Sequence, residues 1–253
     1  GYTAEEDETF KQSLKKANRI VLASLVGSDF KEHGPSEDFL SDTVVKGPIN
    51  KYPTADGVLR WGLPYFLDKE TGEQKWSWEF ATLFQAGLVK PEEVSLHSNV
   101  LWARPLEEKG FQVPVNAHSF YYFNYFAKPE QFTAVPFWRF LTRELPEMDF
   151  SDKIFVVGNT AKLSHDKHPT PYGEIDGAFI NANIILTLLT KRFLYQIPAL
   201  WQGLMLLAGL LLVLWSGFTK RIVHMTVFAL AGAVIYIAIS IWAFWHDVIF
   251  DLY

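Results

Sequence analysis

The sequence contains no cysteine. A disulfide framework, a cysteine-ligated zinc site and catalysis by a thiol are therefore excluded. Basic residues are also too few to balance the acidic ones, so the formal net charge is −5 at pH 7. Because a nucleic-acid-binding protein needs a concentrated basic face, we predict that nucleic acid is not a partner.

Charged side chains are almost absent from the last quarter of the chain. Two apolar runs there are separated by a short loop, and each is long enough to cross a bilayer, so we predict transmembrane helices over about 197–217 and 222–244. Two such runs are rare in soluble domains, which argues against a pair of buried core helices. Tryptophans suited to the membrane interface lie near the ends of the runs, at Trp201, Trp215, Trp242 and Trp245.

The loop between the two runs predicts their orientation. It contains Lys220 and Arg221, and positive residues in a short loop are retained in the cytoplasm. Residues 1–192 would then lie outside the cytoplasm, and residues 193–253 would form the membrane region. Lys191 and Arg192 lie on the wrong side for this rule and weaken the charge bias.

The first residues, GYTAEEDETF, lack an initiator methionine. They also lack the basic and apolar regions of a signal peptide. A domain outside the cytoplasm needs such a signal or a preceding anchor. We therefore expect an incomplete or processed piece of a longer protein, with an N-terminal segment upstream. A cytoplasmic output module would need a third transmembrane helix.

Residues 1–192 alternate between helical and strand-like segments. This pattern predicts an α/β fold with a mixed or parallel sheet covered by helices, followed by the two-helix transmembrane hairpin. Residues 28–55 are predicted to be a loop because Gly and Pro are scattered through them. The segments predicted to be helices are 3–18, 77–87, 136–145 and 177–192. Those predicted to be strands are 19–27, 56–67, 119–126 and a buried strand at 153–161, and a hairpin connection is predicted at 68–74.

Several pieces of the sequence, taken in order, resemble CHASE2, the extracytoplasmic sensor domain of bacterial membrane receptors. The resemblance covers most of residues 5–215 and implies a sensory domain at the bacterial inner membrane. The family often has His-Ala where this chain has Asn181-Ala182, and its opening β-α segment is missing here, so we expect a domain truncated at its start. The matching pieces are 7–23, 55–64, 123–125, 150–161, Thr170-Pro171 and 175–189.

Candidate ligand-binding residues follow from the expected sheet. Loops at the carboxyl ends of strands are where open α/β sheets bind ligands, and residues 159–177 would connect such a strand to the next helix. In this loop we predict that Asn159, Asp166 and Thr170 line a ligand cleft. In the aromatic segment before it, we predict the same role for Asn124 and Tyr125.

The loop also contains two histidines, His165 and His168, on either side of Asp166. They are weak candidates for zinc ligands, but no fourth ligand is evident, so we predict neither a metal nor a cofactor. Ser164 is adjacent to His165 in sequence, but adjacency does not provide the geometry of a nucleophile and its base. We therefore predict no enzyme activity within residues 1–253, although the full gene could encode a linked kinase or cyclase.

Two functional interpretations stay open. The favoured one is a membrane-anchored sensor whose outer domain binds an unknown small molecule or protein, with the lipid bilayer as a further partner. The alternative is a non-catalytic structural or accessory subunit that docks in a larger membrane complex. Either protein would associate with other membrane subunits or with a second copy of itself.

Overall fold

The computed structural model describes residues 3–69, 71–97, 100–103, 111–145, 149–161, 166–217 and 222–250. The chain forms two compact units, which we call unit 1 (Gly1–Lys191) and unit 2 (Arg192–Tyr253). Unit 1 combines helices with several small sheets, whereas unit 2 consists mainly of two apolar helices.

Unit 1 begins with helix α1 (Ala4–Lys16), as predicted. The Thr3 hydroxyl accepts a hydrogen bond from the Glu6 N–H (3.3 Å), and the Glu6 carboxylate accepts one from the Thr3 N–H (2.7 Å). This reciprocal cap satisfies two N–H groups that the helix leaves free at its start. Lys15 and Lys16 lie in the last turn, where the helix dipole favours positive charge.

The predicted strand at 19–27 is confirmed as β1 (Ile20–Val26) and is the middle strand of a three-stranded sheet. It pairs antiparallel with β2 (Glu32–His33) and parallel with β3 (Val44–Pro48). The prediction of a loop over 28–55 is therefore wrong at β3. This strand is short and ends in Gly-Pro, which made it look like a loop, yet Pro is tolerated at the end of an edge strand.

The remaining strands of unit 1 form four small antiparallel sheets. The predicted hairpin at 68–74 is confirmed, and the predicted strand at 56–67 is divided into two. One sheet contains β4 (Tyr52–Pro53), β5 (Leu59–Gly62) and a later strand, and a hairpin pairs β6 (Tyr65–Leu67) with β7 (Gln74–Trp76). A third sheet contains β8 (Ser95–His97), β9 (Val100–Ala103) and β10 (Phe111–Pro114), with β9 in the middle. The fourth is a hairpin of β12 (Lys167–Thr170) and β13 (Gly173–Asp176). The third strand of the sheet that contains β4 and β5 is β11 (Tyr121–Tyr122), which pairs with β5.

Three further helices of unit 1 lie where the sequence predicts them: α2 (Trp78–Gln85), α3 (Phe137–Thr142) and α4 (Gly177–Thr190). Helix α2 contacts β1, β3 and α4, and the core lies between these elements. The mixed α/β class is confirmed, although the strands form several small sheets. The largest fully buried apolar side chains include Phe80, Leu83, Tyr121, Phe123, Ile180, Ile184 and Leu188.

Two strand predictions are corrected by the structure. Residues 153–161 form no strand, and Phe155 and Val157 are 48% and 79% exposed. A buried strand needs hydrogen-bonded neighbours, and none of the described strands pairs with this segment. In the aromatic segment 119–126, only Tyr121–Tyr122 is a strand, since the backbone beyond it bonds to side chains of α4 instead of to another strand.

Unit 2 contains α5 (Ala199–Gly217) and α6 (Ile222–Trp245), which contact each other. Strand β14 (Tyr195–Gln196) before α5 pairs with β15 (Val248–Ile249) after α6. Among the described residues, one segment, Thr226–Trp245 in α6, is long and apolar enough to cross a membrane, whereas the apolar part of α5, Leu200–Trp215, is shorter. The two-helix transmembrane hairpin therefore stays a prediction. Lys220 and Arg221 lie outside the described residues.

Candidate functional site

A tight turn before β5 holds a network of polar side chains. The Thr54 N–H donates to the Val58 carbonyl (2.9 Å), and Gly57 has a φ of +80°, which favours glycine. The Asp56 carboxylate accepts hydrogen bonds from the Thr54 hydroxyl (2.5 Å) and from the Arg60 guanidinium (2.7 Å). These two donors hold the pKa of the Asp56 carboxyl well below its usual range.

The segment after β11 is joined to this turn through β5. The Phe123 N–H donates to the Arg60 carbonyl (3.2 Å), and the Tyr125 hydroxyl donates to the Leu59 carbonyl (2.9 Å). Burial raises the pKa of the Tyr125 hydroxyl. The rings of Phe123 and Tyr125 lie 5.0 Å apart, so this part of the site is a packed aromatic wall.

Two polar side chains of α4 hold the same segment from the other side. The Asn183 side chain accepts from the Ala127 N–H and donates to the Ala127 carbonyl, both at 3.0 Å. One turn later, the Thr187 hydroxyl accepts from the Asn124 N–H at 3.0 Å. Both side chains are fully buried. They bond the backbone of Asn124 and Ala127, which pairs with none of the described strands, and they fix α4 to this segment.

Within the predicted loop at 159–177, residues 167–176 form a β-hairpin made of β12 and β13. The Thr170 hydroxyl donates to the Gly173 carbonyl (2.7 Å) and accepts from the Tyr172 N–H (3.2 Å), so it closes the turn. The Tyr172 ring lies edge-on to the Tyr125 ring, with centroids 6.1 Å apart. The hairpin is thereby placed against the aromatic segment.

Asp166, which comes just before β12 in the chain, lies beside the first residue of α4. Its carbonyl accepts from the Gly177 N–H (2.9 Å), and a Cβ at Gly177 would lie 2.7 Å from both carboxylate oxygens. The same carboxylate is 3.1 Å from Nε2 of His168. Gly158 also lies against this helix start, because a Cβ there would meet Cβ of Ala178 at 2.4 Å.

Asn159 therefore follows directly after a residue that packs on the start of α4. Its side-chain oxygen accepts from the Ala161 N–H at 3.0 Å, which forms a local turn. Its side chain is exposed, whereas Tyr125 and Thr170 are only 8% and 6% exposed and use their hydroxyls internally. Asn124 is held through its backbone. A ligand-binding role for these residues stays a prediction.

Of the two weak candidates for zinc ligands, His165 lies outside the described residues and His168 lies within them. In the part of the chain that the structure describes, no group of three His, Asp or Glu side chains is arranged to hold a metal ion. His168 is close to Asp166, which gives two of the four ligands that zinc prefers.

The geometry brings together the pieces that carried the resemblance: the Asp56–Arg60 turn, residues 123–125, the Thr170-Pro171 turn and α4. The CHASE2 domain model matches residues 2–216. The chain belongs to the CHASE2 family. CHASE2 domains are extracytoplasmic, non-catalytic sensor domains of signal-transduction receptors. Neither a curated protein nor a solved structure matches the chain with significant similarity.

Family membership favours the sensor interpretation, and the accessory-subunit alternative gains no support from the comparison. Two residues that organise this CHASE2 domain, Asn183 and Thr187, were not among the predicted site residues. Their signal was present in the sequence: they are four residues apart in a mostly apolar run, which places two polar groups on one face of α4.

Proposed function

We propose that this chain is the membrane-anchored, extracytoplasmic sensory part of a bacterial signal-transduction receptor. Unit 1 binds a small molecule or a protein partner, and a displacement of α4 carries the signal towards α5. The family match to residues 2–216 is the observation that carries this proposal, because it extends through α4 and includes nearly all of α5.

Anchoring in the inner membrane is supported by the surfaces of α5 and α6. In α6, only 6% of the segment Thr226–Trp245 is buried. Leu206 and Trp215 of α5 are 70% and 72% exposed. Apolar surface of this extent is unfavourable in water and favourable in lipid. We therefore assign both helices to the membrane, with α5 as the shorter span.

The orientation rests on the basic residues that flank the two helices of unit 2. Arg192, which weakened the positive-inside bias, makes a two-pronged contact with Asp247 at 2.8 and 3.1 Å. The positive-inside rule counts Lys and Arg and gives little weight to acidic partners, so the orientation rests on Lys220 and Arg221 in the short loop between the two helices. Unit 1 then lies outside the cytoplasm.

Transmission through α4 is supported by the way in which this helix is held. Asn183 and Thr187 fix α4 to residues 124–127, and Tyr125 connects that segment to β5. Residues 191–198 connect Thr190, the end of α4, to Ala199, the start of α5. A ligand that moves these elements therefore moves the end of α4.

Labelling of single cysteines tests the anchoring and the orientation, because the natural chain has none. We expect Lys15→Cys on α1 to react with a membrane-impermeant maleimide in intact spheroplasts of cells that express the full chain. Lys220→Cys should react only after the membrane is broken. The reverse pattern, or recovery of the protein in the soluble fraction, would contradict the proposal.

A fluorescent probe tests the transmission. In nanodiscs, a probe on Lys191→Cys should change its emission when amino acids, organic acids, nucleosides or sugars are added as separate mixtures. The same probe on Lys15→Cys, far along the chain from α4, serves as the matched control. A response of both probes to every mixture, or of neither probe to any mixture, would contradict small-molecule sensing through α4.

A further inference from the structure

A cavity of about 350 Å³ opens in unit 1 beside the outer edge of β3. It lies apart from the residues that the sequence predicts to bind a ligand. Strand β3 pairs with β1 on one side, and no described strand pairs with it on the other. The lining residues come from β2, β3, β7, α2 and the loop that follows: Glu32, Val45, Lys46, Gln74, Lys75, Trp76, Ala81, Phe84, Gln85 and Pro91.

The backbone of Lys46 faces this open edge. The Ile20 N–H donates to the Thr43 carbonyl, and the Ile49 N–H donates to the Ser24 carbonyl. In a parallel ladder alternate residues face the partner strand, so Thr43, Val45, Gly47 and Ile49 face β1. The N–H and C=O of Lys46 therefore point the other way, and they offer one donor and one acceptor at the cavity.

A carboxylate of β2, the strand on the other side of β1, lines the same cavity. The Glu32 side chain is only 8% exposed, and one of its oxygens accepts from the Ser24 hydroxyl. Its other oxygen is 3.9 Å from Nζ of Lys46, which is beyond hydrogen-bond distance. A buried carboxylate oxygen with this spare capacity favours a positively charged partner.

Two lysines supply the opposite charge. Nζ of Lys46 is 2.5 Å from Glu37, and Nζ of Lys75 is 2.6 Å from Glu73. These two carboxylate partners are 77% and 62% exposed and do not line the cavity. Exposed ion pairs contribute little stability, so a ligand carboxylate can replace either partner at low cost.

The rest of the lining is apolar. The rings of Trp76 and Phe84 meet edge to face, with centroids 5.2 Å apart. Val45 and Ala81 add aliphatic surface beside them. The cavity thus combines one carboxylate, two lysine ammonium groups, one backbone donor, one backbone acceptor and an aromatic wall. Its volume is at the lower end of the range for small-molecule sites.

We infer that this cavity binds a free α-amino acid with an apolar side chain. The ligand carboxylate accepts from the ammonium group of Lys46 or Lys75, and the ligand ammonium donates to Glu32. The side chain packs on Trp76 and Phe84. This assignment rests on the proposed sensor function, for which it names the class of ligand.

Calorimetric titration of the detergent-solubilised full chain tests the ligand. We expect L-leucine or L-phenylalanine to bind, and the N-acetyl and methyl ester derivatives of the same amino acid to bind at least roughly tenfold more weakly, because each loses one charge. Equal binding of a derivative would overturn the inference. So would no binding of either amino acid, or tighter binding of a dipeptide blocked at both ends, which would indicate strand addition at β3.

Matched variants test the residues. Glu32→Gln should weaken binding at least roughly tenfold, whereas Glu37→Gln should leave it unchanged or tighten it, since Glu37 competes for Lys46. Lys75→Gln should also weaken binding, and it serves as a second variant if Glu32→Gln does not fold. Equal effects of Glu32→Gln and Glu37→Gln would overturn the site. The cysteine-labelling pattern does not depend on this ligand, so a failure here leaves the sensor proposal to be judged by labelling.

Discussion

The side chain of Asn183 makes the two hydrogen bonds with Ala127 that a neighbouring strand would otherwise make. Its oxygen accepts from the Ala127 N–H and its nitrogen donates to the Ala127 carbonyl, both at 3.0 Å. Asn183 is fully buried, so water cannot replace it at these backbone groups. A helix residue therefore completes the hydrogen bonding of an extended segment, and this couples α4 to the rest of unit 1.

Replacing Asn183 should weaken the attachment of α4 to the segment that contains Ala127. Asn183→Leu keeps a similar branched shape but leaves the N–H and the carbonyl of the half-buried Ala127 without these partners, and we expect it to lower the free energy of unfolding by about 1–3 kcal/mol. Urea unfolding of the full chain in detergent, followed by tryptophan fluorescence, measures this change. Asn181→Leu on the same helix is the control, because Asn181 is partly exposed and should cost no more than about 0.5 kcal/mol. Equal effects of the two variants would rule out the coupling.

The Asp56 network predicts how stability depends on pH. The folded-state pKa of Asp56 is lowered by Thr54 and Arg60. The stability that the carboxylate contributes is therefore present above its unfolded pKa of about 3.9, and it is lost as the pH falls through that value towards the folded pKa. Asp56→Asn should be less stable than the natural chain at pH 7, and this difference should shrink as the pH falls.

Thermal melting followed by circular dichroism between pH 7 and the acid limit measures this dependence. Asp42→Asn is the control, because Asp42 is exposed and lies outside the turn. It should keep the acid dependence of the natural chain. An Asp56→Asn variant whose melting temperature falls in parallel with that of the natural chain over the whole range would exclude the proposed role of the carboxylate.

The elements that the sequence predicts well are those whose signals are local. Helix α1 carries its cap and its charges in its own residues, and α4 is a long apolar run bounded by Gly177 and Lys191. Strand β3 and residues 153–161 depend instead on which strands meet in space. The apolar run at 153–161 predicts a strand, but without a paired neighbour the hydrogen bonds of a ladder do not form.

The candidate site was predictable in part. Tyr125 and Thr170 were both predicted to line a ligand cleft, and the contact between the rings of Tyr125 and Tyr172 brings their segments together. The cavity beside β3 was missed, because Lys46 lies in a segment that was predicted to be a loop. The direction of its backbone groups depends on the pairing of β3 with β1, which the pattern of residues 28–55 does not reveal.

The packing of α2 on β3 requires a glycine at position 47. A Cβ at Gly47 would lie 2.7 Å from Cα and 2.9 Å from the backbone nitrogen of Trp78, so the backbone of α2 would have to move. We expect Gly47→Ala to cost roughly 2–3 kcal/mol in urea unfolding. Gly72→Ala, at a φ of +67° with no atom within 4 Å, should cost only about 1 kcal/mol from backbone strain. A smaller loss for Gly47→Ala than for Gly72→Ala would show that the helix does not pack there.

A buried ion pair lies in the core of unit 1. Nζ of Lys51 is 2.7 Å from the carboxylate of Glu79, and the two side chains are 8% and 2% exposed. Nζ of Lys51 also donates to the Ile49 carbonyl at 3.0 Å. The pKa of the Tyr121 hydroxyl is raised by burial and also by the negative charge of Glu79. The carboxylate thus lies in a dry part of the core, with Lys51 as its counter-charge.

Removing Lys51 should therefore be costly, whereas removing both charges should not be. Lys51→Met leaves Glu79 charged and buried without its partner, and we expect a loss of about 3–5 kcal/mol in urea unfolding of the full chain. The double variant Lys51→Met with Glu79→Leu replaces the pair by apolar groups of similar size and should lie within about 1 kcal/mol of the natural chain. Lys90→Met, at an exposed lysine, controls for loss of positive charge alone and should change stability by no more than about 0.5 kcal/mol. If the double variant were as unstable as Lys51→Met, the loss would come from the packing of the lysine stem and not from the unpaired carboxylate.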